Sequence, residues 1–125
     1  MRLDVQGSTL ARHDDIRRHI ERRALFEFGR FGDRVDTVRV RLVERLNEPG
    51  GRYFCGLAVT LAHEEGGVQP RHVLARRQDE DLRAAIDAVI ERAGQSTAGE
   101  LLRSDAARAA REQWTPVLAG AGGGS

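Results

Sequence analysis

Residues 35–46, with the sequence "VDTVRVRLVERL", alternate between apolar and charged side chains. Val38, Val40 and Leu42 occupy every second position, and an arginine stands in each gap between them. Because successive side chains of a β-strand point to opposite faces, this pattern predicts a half-buried strand. The apolar face requires a core, and the function of the protein depends on what the arginine face contacts.

The basic residues of this chain are unusual in kind and ordinary in number. A chain of 125 residues has the length of a typical single domain, and a domain of this size can bury a substantial core. Twenty basic residues face nineteen acidic ones, giving a net charge of +1, and all twenty are arginines. Guanidinium groups suit bidentate contacts with phosphate or carboxylate. The near-neutral total argues against a strongly basic nucleic-acid-binding protein, so an anion-binding surface requires that arginines cluster.

The sequence lacks the features of a secreted or membrane protein. Its one cysteine, Cys55, cannot form an internal disulfide and fits a reducing compartment. No apolar run approaches the length of a membrane span, and the start "MRLDVQG" lacks the apolar region of a signal peptide. We therefore expect a cytoplasmic protein with no membrane partner.

Hydrophobic periodicity divides the chain into strands and helices. Residues 2–6 alternate as a strand that ends at Gly7, and residues 13–31 carry apolar residues at helical spacing. The turn "NEPGG" joins residues 35–46 to a second alternating run, "RYFCGLAVTLAH", which predicts an antiparallel hairpin. A second turn, "EEGGVQP", leads into the further strand "RHVLARR". A second helix is expected from about Asp79 to a stop at Gly94, followed by a weaker helical segment over residues 98–113.

The order of these elements predicts an α+β fold of the β-α-β-β-β-α type. The simplest solution is a two-layer sandwich, in which a four-stranded sheet carries two helices on one face, with an extra C-terminal helix. The expected division is a domain over residues 1–95, a helical extension over 96–115 and a disordered glycine-rich tail over 116–125.

Three segments of the chain are distinctive: "GSTLARHDDIRRHIERRA" (7–24), "RFGDRV" (30–35) and "DEDLRAAIDAVIERA" (79–93). In this order they resemble segments of the ribosome hibernation promoting factors, also called ribosome-associated inhibitors or sigma-54 modulation proteins. "GSTLARHDDIRRHIERRA" (7–24) is similar to the family's first-helix region, with a glycine that ends the first strand and an acid followed by a basic pair. "RFGDRV" (30–35) resembles the turn that leads into its second strand. "DEDLRAAIDAVIERA" (79–93) is similar to its second helix, whose hallmark is the "AAID" segment.

The resemblance implies a ribosome-binding function without catalysis or cofactor. Such a domain would bind the small ribosomal subunit through contacts with the phosphates of ribosomal RNA, and sterically block the sites of messenger and transfer RNA, as part of a stress response. This sequence departs from the family where the second helix usually continues into a dense basic segment. Here it reads "GQSTAGELLRSD", with two glycines and two acids.

Eight arginines are the candidates for RNA contact, and each could instead be a solvated surface residue. Arg18 and Arg22 lie four residues apart on the polar side of the first helix, with Arg23 nearer its apolar edge. Arg39, Arg41 and Arg76 are expected on the sheet face away from the helices, where polar residues are common in any case. Arg77 should point the other way or lie at the entrance of the second helix, and Arg83 belongs to that helix.

Enzymatic function is not indicated. The four histidines do not fall at metal-ligand spacings, and Cys55 is expected on the inward face of a strand as a small hydrophobe. The glycines form no phosphate-binding loop. Phe54, expected on the outer sheet face, either stacks on a base or covers the sheet edge.

An alternative interpretation predicts the same fold without RNA binding. In it, the chain is a protein-interaction or regulatory module that has lost ribosome binding. Its C-terminal helix would then form a homodimer or bind a partner, because Leu101, Leu102 and Trp114 require burial.

Overall fold

A computed structural model of the chain describes residues 1–7, 9–47, 49–64 and 71–124, and of residues 114–124 it describes the backbone alone. The alternating stretches are strands and the stretches of helical period are helices. The elements are β1 (Arg2–Gly7), α1 (Asp14–Phe28), β2 (Val35–Glu44), β3 (Tyr53–Leu61), β4 (His72–Asp79) and α2 (Leu82–Gly124). Two 3₁₀ segments, Thr9–Arg12 and Gly29–Arg34, flank α1.

The four strands form one open, mixed sheet in the order β1-β2-β3-β4. β1 pairs with β2 in parallel, and α1 connects them as a crossover helix. β2, β3 and β4 pair antiparallel, with Leu42 opposite Cys55 and Gly56 opposite Arg76. β1 and β4 are therefore the edge strands, and the α+β fold expected from the sequence is confirmed.

Both helices cover the same face of the sheet. The alternating apolar residues Val38, Val40 and Leu42 are all fully buried, as the opening stretch predicted. They belong to one core cluster, together with residues from α1 such as Ile20 and residues from α2 such as Ile86. Because a single core joins both helices to these strand residues, the arginine positions of β2 lie on the opposite, open face.

Gly7 ends β1 in a conformation that requires glycine. Its φ is +131°, which other residues rarely adopt, and a Cβ at this position would overlap the backbone carbonyl oxygen of Leu42 on β2. The glycine thus lets the last residue of β1 lie directly against the neighbouring strand. The sequence correctly placed the end of the strand here.

The predicted stop at Gly94 is wrong, because α2 continues through this position without a break. Residues 98–113 are helical, as expected, and belong to this same helix. Gly94 serves the contact between the two helices. A Cβ there would overlap the side chain of Glu27 on α1, so the glycine leaves the room that Glu27 occupies. Beyond it, Thr97 is fully buried and Leu101 is 5% exposed within the core. This part of α2 is packed on the sheet.

The start of α2 lies slightly later than expected. Asp79 is the last residue of β4, and its carboxylate accepts a hydrogen bond from the Asp81 amide at 2.9 Å. Asp81 then caps the helix, since its Oδ1 accepts from the Ala84 amide at 3.2 Å. The predicted capping residue and the observed one are two positions apart.

At its other end, α2 extends over residues 116–124, where a disordered glycine-rich tail was expected. The predictions for Ser125, for the side chain of Trp114 and for most of the turn "EEGGVQP" fall outside the described residues. In the described part of the chain, no helix combines the length and the apolar character that a membrane span needs.

Candidate nucleic-acid interface

Three of the candidate arginines share the open face of the sheet. Strand register places Arg41 of β2 opposite Gly56 of β3, and Gly56 opposite Arg76 of β4. One row further along, Arg39 lies opposite Ala58. The two small residues of the central strand therefore form a shallow strip, with arginines on the strands to either side.

This strip is positively charged because acids are absent from its central part. At positions 39–43 of β2 that face outward, and at the positions of β3 and β4 paired with them, there is no acidic residue. Asp4 of β1 lies beside the strip, with its Oδ2 3.5 Å from Arg39 Nε. Arg41 and Arg76 are exposed, and neither makes an ion pair with any described residue. We name these outward positions of β2, β3 and β4, from Arg39 to Gln78, the sheet-face strip.

Phe54 places an aromatic ring on the same strip. Its Cε1 and Cζ atoms lie 3.4 and 3.7 Å from the point where a Cβ of Gly56 would stand, so the ring leans over the glycine. The guanidinium carbon of Arg45, from the β2–β3 hairpin, is 5.0 Å from the ring centre. The sequence indicates Phe54 but not Arg45, because the position of Arg45 beside the ring depends on the hairpin geometry.

The candidate arginines of the helices form a second and more balanced cluster. Arg18 and Arg22 of α1 and Arg83 of α2 line a shallow hollow of about 330 Å³. Asp15 and Glu21 line the same hollow. Three cations thus face two acids, and the local excess of positive charge is smaller than on the sheet-face strip.

Arg23 is engaged within the protein. Its Nε lies 3.2 Å from Oδ1 of Asp87, and the same oxygen is 2.7 Å from Nε2 of His19. Asp87 is the aspartate of the "AAID" segment, so this residue joins α1 to α2 through two side chains. The pairing spans most of the chain, and the sequence carried no local signal for it.

Arg77 points to the helical side of β4, as expected. With Arg76 and with Arg92 of α2 it lines an open groove of about 510 Å³ between the edge strand and the helix. Glu91 is the acid among the lining residues. Arg92 is not among the eight candidates, yet it lies beside two of them.

Other arginines are neutralised at the opposite end of the sheet. Arg34 contacts Asp105 at 2.7 Å and Glu64 at 3.3 Å, and Arg71 contacts Glu64 at 2.9 Å. The hydrogen bond with Asp105 raises the pKa of Arg34 further, and the same bond lowers the pKa of the Asp105 carboxyl. These pairs offset the positive charges of Arg34 and Arg71 at this end of the sheet.

The described residues hold no metal-binding cluster. They contain no group of three or more His, Cys, Asp or Glu side chains arranged to hold a metal ion. Cys55 is fully buried, and burial raises its pKa to about 12, so it is a neutral thiol at physiological pH. The notable chemistry of the surface is that of guanidinium groups.

Comparison with known proteins identifies the fold. No protein-family model matches the sequence, and no curated protein matches it. Among solved structures, the N-terminal domain of Protein Y from Thermus thermophilus is similar, with a TM-score of 0.55 and 23% identity, covering 77% of this chain and 94% of that one. A ribosomal subunit interface protein from Coxiella burnetii is also similar, with a TM-score of 0.54 and 10% identity, covering 82% of this chain and 99% of that one.

Both neighbours belong to the hibernation-factor family that the sequence resembles. At these identities the likeness establishes the fold alone. The chain therefore shares the fold of these two proteins over about four-fifths of its length.

Proposed function

We propose that this chain is a ribosome-associated translation inhibitor of the hibernation-factor type. It binds the small ribosomal subunit through phosphates of ribosomal RNA and blocks the sites of messenger and transfer RNA by occupying them. Neither a cofactor nor a catalytic residue is needed for this action. A cytoplasmic location follows from the same proposal, because that is where ribosomes are.

The observation that carries this proposal is the sheet-face strip. Net charge is only +1, and Glu64 and Asp105 pair with arginines at the far end of the sheet. Arg41 and Arg76 are exposed, and neither makes an ion pair with a described residue. An exposed guanidinium can neutralise an RNA phosphate and release its bound counterions. Balanced composition and a locally positive surface therefore coexist in one molecule.

The likeness to a ribosomal subunit interface protein supports the same proposal. The eight arginines take unequal parts in it. Arg39, Arg41 and Arg76 form the main contact surface, and Arg77 extends it toward the groove beside α2. Arg18, Arg22 and Arg83 add a second contact on the helical side, whereas Arg23 holds the helices together through Asp87.

The proposal is tested by sedimenting the purified protein with small ribosomal subunits at low and moderate salt. We expect co-sedimentation at low salt that weakens steeply as salt rises. Changing Arg18 and Arg22 to Ala should weaken it, and addition of the protein should displace a bound messenger RNA fragment. Failure to co-sediment in dilute buffer would remove the ribosomal role and leave the fold untouched.

One observation favours the alternative function of a protein-interaction module. Leu102 of α2 is 69% exposed, although Leu101 beside it is buried in the core. An exposed leucine on a helix can contribute to a homodimer. A concentration-dependent dimer that is lost on changing Leu102 to Ser, together with no ribosome binding, would support that function over the ribosomal one.

A further inference from the structure

The surroundings of Phe54 carry an inference about how this surface recognises its ligand. The ring is half-buried and leans over Gly56, on the open face of the central strand pair. Gly56 is flanked in register by Arg41 on one side and Arg76 on the other. An aromatic ring thus lies between two exposed cations on a surface that no helix covers.

We propose that the sheet-face strip binds single-stranded RNA, with one base stacked on the Phe54 ring and the flanking phosphates held by Arg41 and Arg76. This rests on the proposed function for the identity of the ligand, and it goes beyond phosphate contact to recognition of an unpaired base. Phe54 is then a binding residue, in addition to any part it takes in packing.

The geometry fits one nucleotide with a phosphate on each side. Neighbouring strands lie about 4.8 Å apart, so two strand spacings place the backbones of Arg41 and Arg76 roughly 10 Å from each other. Both side chains are long and exposed, so they can reach phosphates on either side of a base that rests between them. Gly56 matters because a larger side chain at that position would push the Phe54 ring away from the sheet.

The Arg45 guanidinium lies over the Phe54 ring, in the place where the base would stack. The guanidinium carbon is 5.0 Å from the ring centre, and exposed cation–π contacts of this kind are weak. A base stacks on an aromatic ring more strongly than that, and arginine planes also stack on bases. The Arg45 guanidinium can therefore move off the ring face when a base stacks there, and it can remain in contact with that base.

The base must be unpaired. A base in a duplex has its faces covered by its neighbours, and only splayed or single-stranded bases can stack on a side chain. The strip therefore distinguishes single strands from duplexes, which phosphate contacts alone would not do. Stacking also tolerates any base, so we expect little sequence preference.

The test uses an unstructured oligoribonucleotide of about nine nucleotides that carries one 2-aminopurine, whose fluorescence falls when it stacks. The wild-type protein should quench this probe on binding. Phe54→Leu keeps an apolar side chain for packing and loses the ring. We expect it to abolish the quenching and to weaken binding about five- to a hundredfold, whereas Phe54→Tyr should retain both.

The salt dependence separates stacking from phosphate contact. Phe54→Leu should leave the slope of log affinity against log salt unchanged, because the ring carries no charge. Arg41→Gln should reduce that slope by about 0.7, the value for one phosphate of a single strand. Arg103→Gln, at an exposed arginine paired with Glu100 on α2, is the matched control and should change neither quantity.

Three results would overturn the inference. The first is that the Phe54→Leu variant quenches the fluorescence of the probe as strongly as the wild type does. The second is that the wild type binds the probe equally well as a single strand and as a duplex with its complement. The third is a dimer formed by the wild type and lost in Phe54→Leu, without quenching, which would assign this face to a second copy of the chain. Ribosome co-sedimentation is measured on the same samples, so the two proposals fail separately. Sedimentation without quenching removes the stacking site alone, and quenching without sedimentation removes the ribosomal role alone.

Discussion

Arg34 donates two hydrogen bonds to the carboxylate of Asp105, at 2.7 and 3.1 Å. This bidentate pair joins the 3₁₀ segment before β2 to a turn of α2 that lies 71 residues later. Arg71 adds a contact with Glu100 of α2 at 3.7 Å. Together these pairs hold the part of α2 beyond Gly94 against the sheet, so that it contributes to the folded domain. The division of the chain near residue 95 stays a prediction.

The pair between Arg34 and Asp105 predicts a stability difference that depends on pH. The folded protein lowers the pKa of Asp105 below its ordinary value. Its contribution is therefore present above about pH 4, and it is lost as the pH falls through the lower pKa of the folded state. Asp105→Asn should then be less stable than the wild type at pH 7, and the difference should shrink as the pH falls below about 4.

Urea unfolding at both pH values measures this difference, since a small domain is expected to unfold in two states. Asp36→Asn is a control, because Asp36 makes no ion pair with a described residue. An Asp105→Asn deficit of the same size at pH 3 and pH 7 would contradict the assigned role of the carboxylate.

The contact between Gly94 and Glu27 predicts coupling between the two positions. Alanine in a helix interior is favoured over glycine by about 1 kcal/mol, but here its methyl group would overlap Glu27. Gly94→Ala should therefore destabilise the wild type and stabilise a Glu27→Ala background, with a coupling of about 1–2 kcal/mol. A double-mutant cycle of unfolding free energies measures it. Equal effects in both backgrounds would show that Glu27 moves aside without cost.

The pairs made by Asp87 predict that neighbouring arginines have different roles. Asp87→Ala removes the carboxylate oxygen that lies 2.7 Å from Nε2 of His19 and 3.2 Å from Nε of Arg23, and should destabilise the protein by about 1 kcal/mol. Arg22→Ala, one position away and exposed, should change stability by less than about 0.5 kcal/mol and weaken ribosome binding. Unfolding and co-sedimentation on the same variants separate the two effects. If instead Arg22→Ala destabilised the protein and Asp87→Ala weakened ribosome binding, Arg23 would belong to the surface that contacts RNA.

Local patterns were sufficient to predict the sheet. The alternation of Val38, Val40 and Leu42 fixed which face of β2 is buried, and with the turn signals it gave the antiparallel strands. Gly7 was placed at a strand end, where its φ of +131° now explains the residue. These features are local, because the period of side chains along a strand follows from backbone geometry.

The features that the sequence could not reveal involve residues far apart in the chain. Glycine commonly ends a helix, so the sequence predicts a stop at Gly94. Only the position of α1 shows that this glycine makes room for Glu27 instead. In the same way, Arg23 and Arg22 are adjacent and chemically identical, yet one meets Asp87 and the other meets solvent. Which arginines remain unpaired is a property of the tertiary structure, and the candidate surface could only be outlined from the sequence.

The central claim is that unpaired arginines on the open sheet face bind ribosomal RNA. The most direct measurement is the affinity for small ribosomal subunits across a salt series, comparing Arg41→Gln/Arg76→Gln with Arg103→Gln/Arg108→Gln, a control that removes the same charge from arginines paired on α2. We predict that the first variant binds more weakly, with a slope of log affinity against log salt reduced by about 1.5 to 2, and that the control keeps the wild-type slope. Equal slopes for both variants and the wild type would contradict the account.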